Sequence, residues 1–302
     1  FTNFYANSFR TDRGLVSIIS GYPAQPGTSV MKYADKVENL PSIPRSLKNV
    51  GYDLAYYYGG DANFTNMYAY LVSCGFEKII SDKNFPLSQR TSKWGANDGV
   101  VFNRFSKDYF SEKAHAPRFR IIQTSSSHEP FDVPYQKSDD KRINAFEYAD
   151  SCAGHFIRQL ESSGLWNNTL VILVPDHFGV YPETDDQIAR HQIPLIMTGG
   201  ALKLKGRNGT YASQIDIAAT LLHQLGISHS DFKFSKNILN PASPHFGYFT
   251  SPSIFGIITP DNSLIYNCDA NTVISDEGEG KGNNIEKGKA FLQKLYDDLE
   301  SL

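Results

Sequence analysis

The 302-residue sequence has only three cysteines, Cys74, Cys152 and Cys268. They lie far apart, with no CxxC pair and no zinc-ribbon spacing, so a cysteine zinc module or dithiol redox motif is excluded. The thiols read as buried or free, with a single disulfide left open. Cysteine usage therefore does not identify a redox compartment. Long apolar runs are also missing. No stretch of 18 apolar residues occurs and mean hydropathy is −0.36, so this chain is not expected to span a membrane itself. Charge of one sign is lacking too. With 29 Lys+Arg against 32 Asp+Glu, no basic field argues for a nucleic-acid partner. There is no internal repeat. The opening "FTNFYANSF" has no Met, charged n-region or apolar h-region, so no signal peptide is expected. It reads as a β-like run that begins inside a domain, with something upstream removed or left out.

What is present suits a large core. The chain is 40% hydrophobic and holds 20 Phe and 17 Tyr, enough for one large α/β domain or two smaller ones. Residues 12–20, 42–51, 63–75, 99–110, 143–164 and 213–226 read as helices, several closed by Gly. Residues 52–60, 77–81, 118–124, 168–174 and 193–199 read as strands, with those at 118 and 168 as buried ones. Alternation of strand and helix from 52 to 226 predicts a mostly parallel sheet flanked by helices. After 240, "HFGYFT", "IFGIITP" and "SLIYNC" predict short antiparallel strands, followed by a closing helix. The expected division is a catalytic domain over 1–240 and a C-terminal subdomain over 241–302.

Three polar clusters fall where chemistry is expected. Thr11 stands at a helix start, His128 follows Ser125–Ser127 after a strand, and Asp176–His177 follows the strand at 168. Ligands of open parallel sheets bind at such carboxyl ends. A carboxylate beside an imidazole can hold one divalent metal, and the polar loop "GVYPETDDQIARH" after it is of a kind that carries function. An Asx turn beside a surface His is the plainer alternative. Thr11 read alone is a helix cap. A helix N-terminus is equally a site for a phosphoryl group, and a Thr hydroxyl beside a metal becomes a usable nucleophile. His128 favours function and His191 is open, whereas His155, His223 and His229 read as structural. His115 and His245 carry no signal.

Taken in order, "NSFRTDRGLVSIISGYPAQP", "SSSHEPF", "NNTLVILVPDHFG", "RHQIPLIMTGG" and "QIDIAATLLHQLGI" resemble the sulfatase-like catalytic domain of lipoteichoic acid synthases. These belong to the alkaline phosphatase superfamily. The resemblance covers residues 1–235 and is nearest to the synthase-like proteins of Gram-negative bacteria. It implies an alkaline phosphatase/sulfatase-like α/β fold and transfer of phosphoglycerol, or a similar group, from a phospholipid to a Thr and then to an envelope glycan or lipid acceptor. Thr11 matches the nucleophilic, metal-bound Thr, and Asp176 and His177 match the metal-ligand pair. His128 matches a substrate-binding His near the leaving group. His191 resembles a second His of the related phosphoethanolamine transferases. The implied cofactor is one divalent metal, Mn2+ by family habit, with Zn2+, Mg2+ or Ca2+ as alternatives. The resemblance also implies an upstream membrane anchor and a catalytic domain on the periplasmic or extracellular face.

Two departures stand out. The family's remaining metal ligand, a Glu ending the first strand, has no counterpart here: either it belongs to an upstream segment or this chain does not hold the metal fully. The Trp-Asn-Arg phosphate clamp falls on "NFTNMY", where Asn66 remains but Thr65 and Met67 replace its partners. Arg13, Trp94 and Asp98 are the expected substitutes lining the pocket. Three rivals stay in view. A true sulfatase needs Cys or Ser in a C/S-x-P-x-R context, which "RTDRG" is not. A plain phosphodiesterase or phosphatase would use water as acceptor. A non-catalytic binding module would keep the fold alone.

Overall fold

The computed structural model describes residues 1–113 and 115–302. In chain order its elements are β1 (Phe4–Tyr5), α1 (Thr11–Ser20), α2 (Ala34–Asn39), α3 (Ile43–Asn49), β2 (Asp53–Tyr58), α4 (Met67–Ser73), β3 (Lys78–Ile80), α5 (Asp98–Ser111), β4 (Arg118–Gln123) and α6 (Lys141–Ser162). There follow β5 (Val171–Leu173), α7 (Gln187–His191), β6 (Ile196–Thr198), β7 (Ala212–Ser213), α8 (Asp216–Gln224), β8 (Gly247–Ser251), β9 (Ile254–Ile258), β10 (Ser263–Asn267), β11 (Thr272–Glu277) and α9 (Ile285–Ser301). They divide into two compact units, one of residues 1–46, 171–198 and 202–302, the other of residues 47–170 and 199–201. No boundary of these units falls at residue 240. The antiparallel tail forms as expected but belongs to the same unit as the N-terminal residues.

In the unit of residues 47–170 the sheet order is β3-β2-β4, all parallel. β2 is central and buried at five of its six positions, with Tyr56 and Tyr57 almost wholly enclosed. Burying an aromatic side chain of this size stabilises by about 1.5–3 kcal/mol. Helices α5 and α6 pack through Phe105 and Phe156, whose rings lie 4.8 Å apart. Gly59 and Gly60 follow β2 because a backbone must pass there. A β-carbon on Gly59 would meet the Ala96 carbonyl oxygen at 2.0 Å, and this close approach holds the Trp94–Ala96 loop against the strand end.

The other unit is built around β1, which pairs in parallel with β7 in the register Phe4↔Ala212 and Tyr5↔Ser213. On its opposite side, Ala6 N–H donates to the His191 carbonyl (2.7 Å) and Ile193 N–H to the Phe4 carbonyl (2.8 Å). The sheet β11-β10-β9-β8 is antiparallel. Tyr5, Phe249, Ile258 and Ile265 form one core cluster of this unit, and Tyr248, Phe255, Ile257, Leu264 and Tyr266 another.

One expectation needs correction. The strands at 118 and 168 are not enclosed: every residue of β4 and β5 is half-buried. Among the described residues β4 pairs only with β2, and β5 only with β6, antiparallel. Each is an edge strand, and apolar composition alone does not separate an edge from a centre. All three cysteines are free thiols, which closes the disulfide alternative. Among the described residues no helix is long and apolar enough to cross a membrane.

Candidate active site

Thr11 is not the cap of its helix. The N-cap of α1 is Arg10, extended at φ −145° and ψ 148°, with no side-chain capping bond. Thr11 is the first helical residue, half-buried, where backbone N–H groups lack intrahelical partners. Leu15, Val16 and Ile19 bury the inner face of α1, and Gly21 ends it at φ +57°. Upstream, Asn7 fixes the approach to the helix. Its Oδ1 accepts from Ala24 N–H (2.6 Å) and Ser17 Oγ (3.2 Å), and its Nδ2 donates to the Tyr248 carbonyl (2.9 Å).

Asp176 and His177 lie beside the first turn of α1. A β-carbon on Gly14 would come within 1.8 Å of the Asp176 carbonyl oxygen, so helix and loop touch backbone to backbone there. Asp176 Oδ1 accepts from His177 N–H (3.1 Å). His177 Nδ1–H donates to the Phe178 carbonyl at 2.7 Å. That bond sets the tautomer, making Nε2 the lone-pair nitrogen of the neutral ring. His177 Nε2 then faces Asp176 Oδ2 at 3.8 Å. Two donors each about 2.1 Å from one ion can span such a gap. A carboxylate and an imidazole suit a borderline divalent ion such as Mn2+ or Zn2+. Among the described residues no third His, Cys, Asp or Glu joins the pair.

The remaining expected residues of this unit behave differently. Arg13 Nε donates to the Thr28 carbonyl (3.1 Å), and its guanidinium lies 5.0 Å from the Phe9 ring centre. His191 is fully buried. Its ring stacks on Phe249 at 3.9 Å, and Phe178 meets it edge-on at 4.6 Å. Nδ1–H donates to the Gln187 carbonyl (2.7 Å), and Nε2 accepts from Ser251 Oγ (3.3 Å). Burial lowers its pKa to about 4. His191 is thus a neutral core histidine of α7, and both ring nitrogens are spent inside the unit rather than offered to a substrate.

His128, Trp94, Asp98 and Asn66 lie in the other unit. Trp94 Nε1–H donates to the Glu129 carbonyl (2.7 Å), fixing the indole 5.0 Å from the His128 ring. Phe64, half exposed, sits edge-on to Trp94 at 6.1 Å. Asp98 does not line a pocket. It is buried at the first position of α5, where Oδ1 accepts from Ser125 N–H (2.8 Å) and both oxygens from Ser126 N–H (3.3 Å). Ser126 Oγ accepts in return from Asp98 N–H at 2.9 Å. Burial pushes the carboxyl pKa up, and these N–H bonds pull it back. Asp98 therefore shapes the turn that carries His128, whose N–H donates to the Ser125 carbonyl (3.2 Å). Asn66 is exposed in a left-handed conformation, φ +65°, next to Thr65 at φ +54°. Met67 points into the core, so the position expected for a clamp arginine serves packing.

The sequence reading singles out neither Gly14, Asn7 nor Phe64. Only Asn7 sits inside a quoted motif where a polar residue at a strand end is a usable signal.

The sulfatase family profile matches residues 1–227, a span that contains Thr11, His128, Asp176 and His177. The chain belongs to the sulfatase family. Lipoteichoic acid synthase 2 of Bacillus subtilis (strain 168) is 23% identical over 267 residues, covering 78% of this chain but 40% of that protein. The chain thus spans about two-fifths of that relative's length. A crystal structure of an alkaline phosphatase superfamily protein from Vibrio parahaemolyticus superposes at TM-score 0.84 and 24% identity, over 100% of this chain and 78% of that one. Lipoteichoic acid synthase LtaP from Listeria monocytogenes gives TM-score 0.80 at 22% identity, over 99% and 83%. The chain has the fold of the alkaline phosphatase superfamily, and its sequence relatives include lipoteichoic acid synthases.

Proposed function

We propose that this sulfatase-family protein is a phosphotransferase that passes a phospholipid-derived head group, such as phosphoglycerol, through Thr11 to an envelope glycan or lipid acceptor. The observation that carries the reading is the backbone contact between the first turn of α1 and Asp176. It brings the helix that opens with Thr11 to the carboxylate–imidazole pair.

Asp176, His177 and the Thr11 hydroxyl are the residues that would hold a divalent metal, Mn2+ by resemblance. Such an ion supplies a lowered hydroxyl pKa and neutralises phosphoryl charge. Thr11 Oγ1 attacks phosphorus and passes its proton to a solvent water, while the bond from phosphorus to the departing alcohol breaks. The α1 N-terminus directs backbone N–H groups at the phosphoryl oxygens. His128 is assigned to protonate the departing alcohol, by the motif match. An incoming alcohol then attacks phosphorus and restores the Thr11 hydroxyl. Positioning and charge neutralisation carry most of such a reaction.

By the motif match, Asn66 stands in the family's phosphate clamp, and the buried Met67 cannot supply the charge of its arginine. The membrane-borne donor places the catalytic domain on the periplasmic or extracellular face in this reading.

Mass spectrometry after incubation with phosphatidylglycerol tests it. A glycerophosphoryl adduct on the Thr11 peptide, absent from Thr11→Ala, is the expected result. Preference for an aryl sulfate over a phosphodiester, or undiminished turnover in Thr11→Ala, overturns it.

A further inference from the structure

Gln214 lies between β7 and α8 and is fully buried. Its amide makes three short hydrogen bonds. Nε2 donates to the carbonyls of both Pro175 (2.6 Å) and Asp176 (2.7 Å). Oε1 accepts from Asn7 N–H at 2.7 Å. The orientation is fixed, since a flipped amide would set its oxygen against two carbonyls. Its backbone is tied as well: Gln214 N–H donates to the Tyr5 carbonyl at 3.2 Å. One side chain therefore joins the end of β1, which leads through Asn7 to Thr11, to the two peptide groups that carry Asp176.

We infer that Gln214 is the positioning residue of the candidate site, holding the Asp176–His177 turn in register with the strand end that leads to Thr11. This deepens the phosphotransferase reading and rests on it for the chemistry. Two observations favour positioning over plain packing. Both accepting carbonyls flank the Asp176 side chain rather than a remote loop. The same carbonyl of Asp176 also faces Gly14 of the nucleophile helix, so the bond fixes the peptide against which α1 rests. A displacement of about 1 Å at such a place can cost about 100-fold in rate.

Gln214→Glu is the sharpest variant. It keeps volume and the acceptor for Asn7 N–H, but an ionised carboxylate has no proton for either carbonyl. Gln214→Met removes all three bonds. Both are read for folding by circular dichroism, for Mn2+ affinity by electron paramagnetic resonance, and for phosphodiester turnover. The expected outcome is a folded Gln214→Glu protein that binds Mn2+ about 10–100-fold more weakly. Its kcat falls while KM holds. A third readout needs neither metal nor activity: the His177 ring nitrogens should shift in NMR spectra of metal-free Gln214→Glu. Should both variants fail to fold, the wild-type protein decides. Through-hydrogen-bond couplings from the Gln214 side-chain amide to carbonyls 175 and 176 are expected, and their absence overturns the assignment. A folded Gln214→Glu with unchanged Mn2+ affinity, kcat and His177 spectrum also overturns it. If the wild-type protein itself neither binds Mn2+ nor cleaves a phosphodiester, the phosphotransferase reading fails, while the His177 spectrum still decides the role of Gln214.

Discussion

Gly14 and Asp176 meet backbone to backbone: a β-carbon on Gly14 would lie 1.8 Å from the Asp176 carbonyl oxygen. Residues 162 positions apart in sequence thereby share one van der Waals boundary, one helical turn beyond Thr11. The tolerance is set by main-chain atoms on both sides, which cannot rotate away as a side chain would.

Gly14→Ala is accordingly expected to push α1 and the Asp176 loop apart. Overpacking of this kind costs about 1–3 kcal/mol. The loss of phosphodiester turnover should exceed what that destabilisation explains, at least tenfold. Thermal unfolding and a rate measurement on the same sample check this. Wild-type values for both would mean the contact does not govern the site.

The turn bearing His128 depends on Asp98. In Asp98→Ala, buried N–H groups of Ser125 and Ser126 lose their acceptor, which costs about 1–3 kcal/mol each when nothing replaces it. Asp98→Asn retains one acceptor oxygen and should fall between the two. Urea unfolding ranks the three proteins. An equally stable Asp98→Ala would show that the turn holds itself.

His191 gives the protein a pH-dependent stability. Its folded pKa of about 4 lies below the ordinary 6.5. The unfolded chain therefore binds more protons between these values. The contribution is complete above pH 6.5 and falls as pH drops toward 4. Its size is on the order of 3 kcal/mol. His191→Phe keeps the stacking with Phe178 and Phe249 but cannot be protonated. The wild type is expected to lose stability relative to this variant between pH 6.5 and 4.5. Parallel urea-denaturation curves would exclude this role for His191.

Trp94 reports on His128. Their rings are 5.0 Å apart. In a Trp166→Phe background, His128→Ala should change the emission intensity and wavelength of Trp94, because the ring beside the indole is replaced by a methyl group. An unchanged Trp94 spectrum would place the two rings out of contact.

Much of this was legible in the sequence because period and punctuation agree. Leu15, Val16 and Ile19 mark α1, Gly21 closes it, and Asp-His after an apolar run marks the second cluster. The shortest elements were not legible. β7 has two residues and α7 five, too few to show a period. Asp98 is expected in the pocket as a substitute for the missing clamp, and nothing local to "KWGANDG" shows that its carboxylate is buried. Its burial comes from Ser125 and Ser126, which are 27 and 28 residues away. His191 is open in the sequence for a related reason: nothing local to α7 shows that Phe178 and Phe249 enclose its ring. Gln214 lay inside a recognised helix motif, yet nothing local shows that its amide reaches Pro175.

The most direct measurement is anomalous diffraction from crystals of the protein soaked in Mn2+. We expect a single ion about 2.0–2.4 Å from Asp176 Oδ2, His177 Nε2 and Thr11 Oγ1. An ion held elsewhere, or one that takes up the Asp–His pair while the Thr11 hydroxyl stays out of coordinating reach, would separate the nucleophile from its activator and end the proposed chemistry.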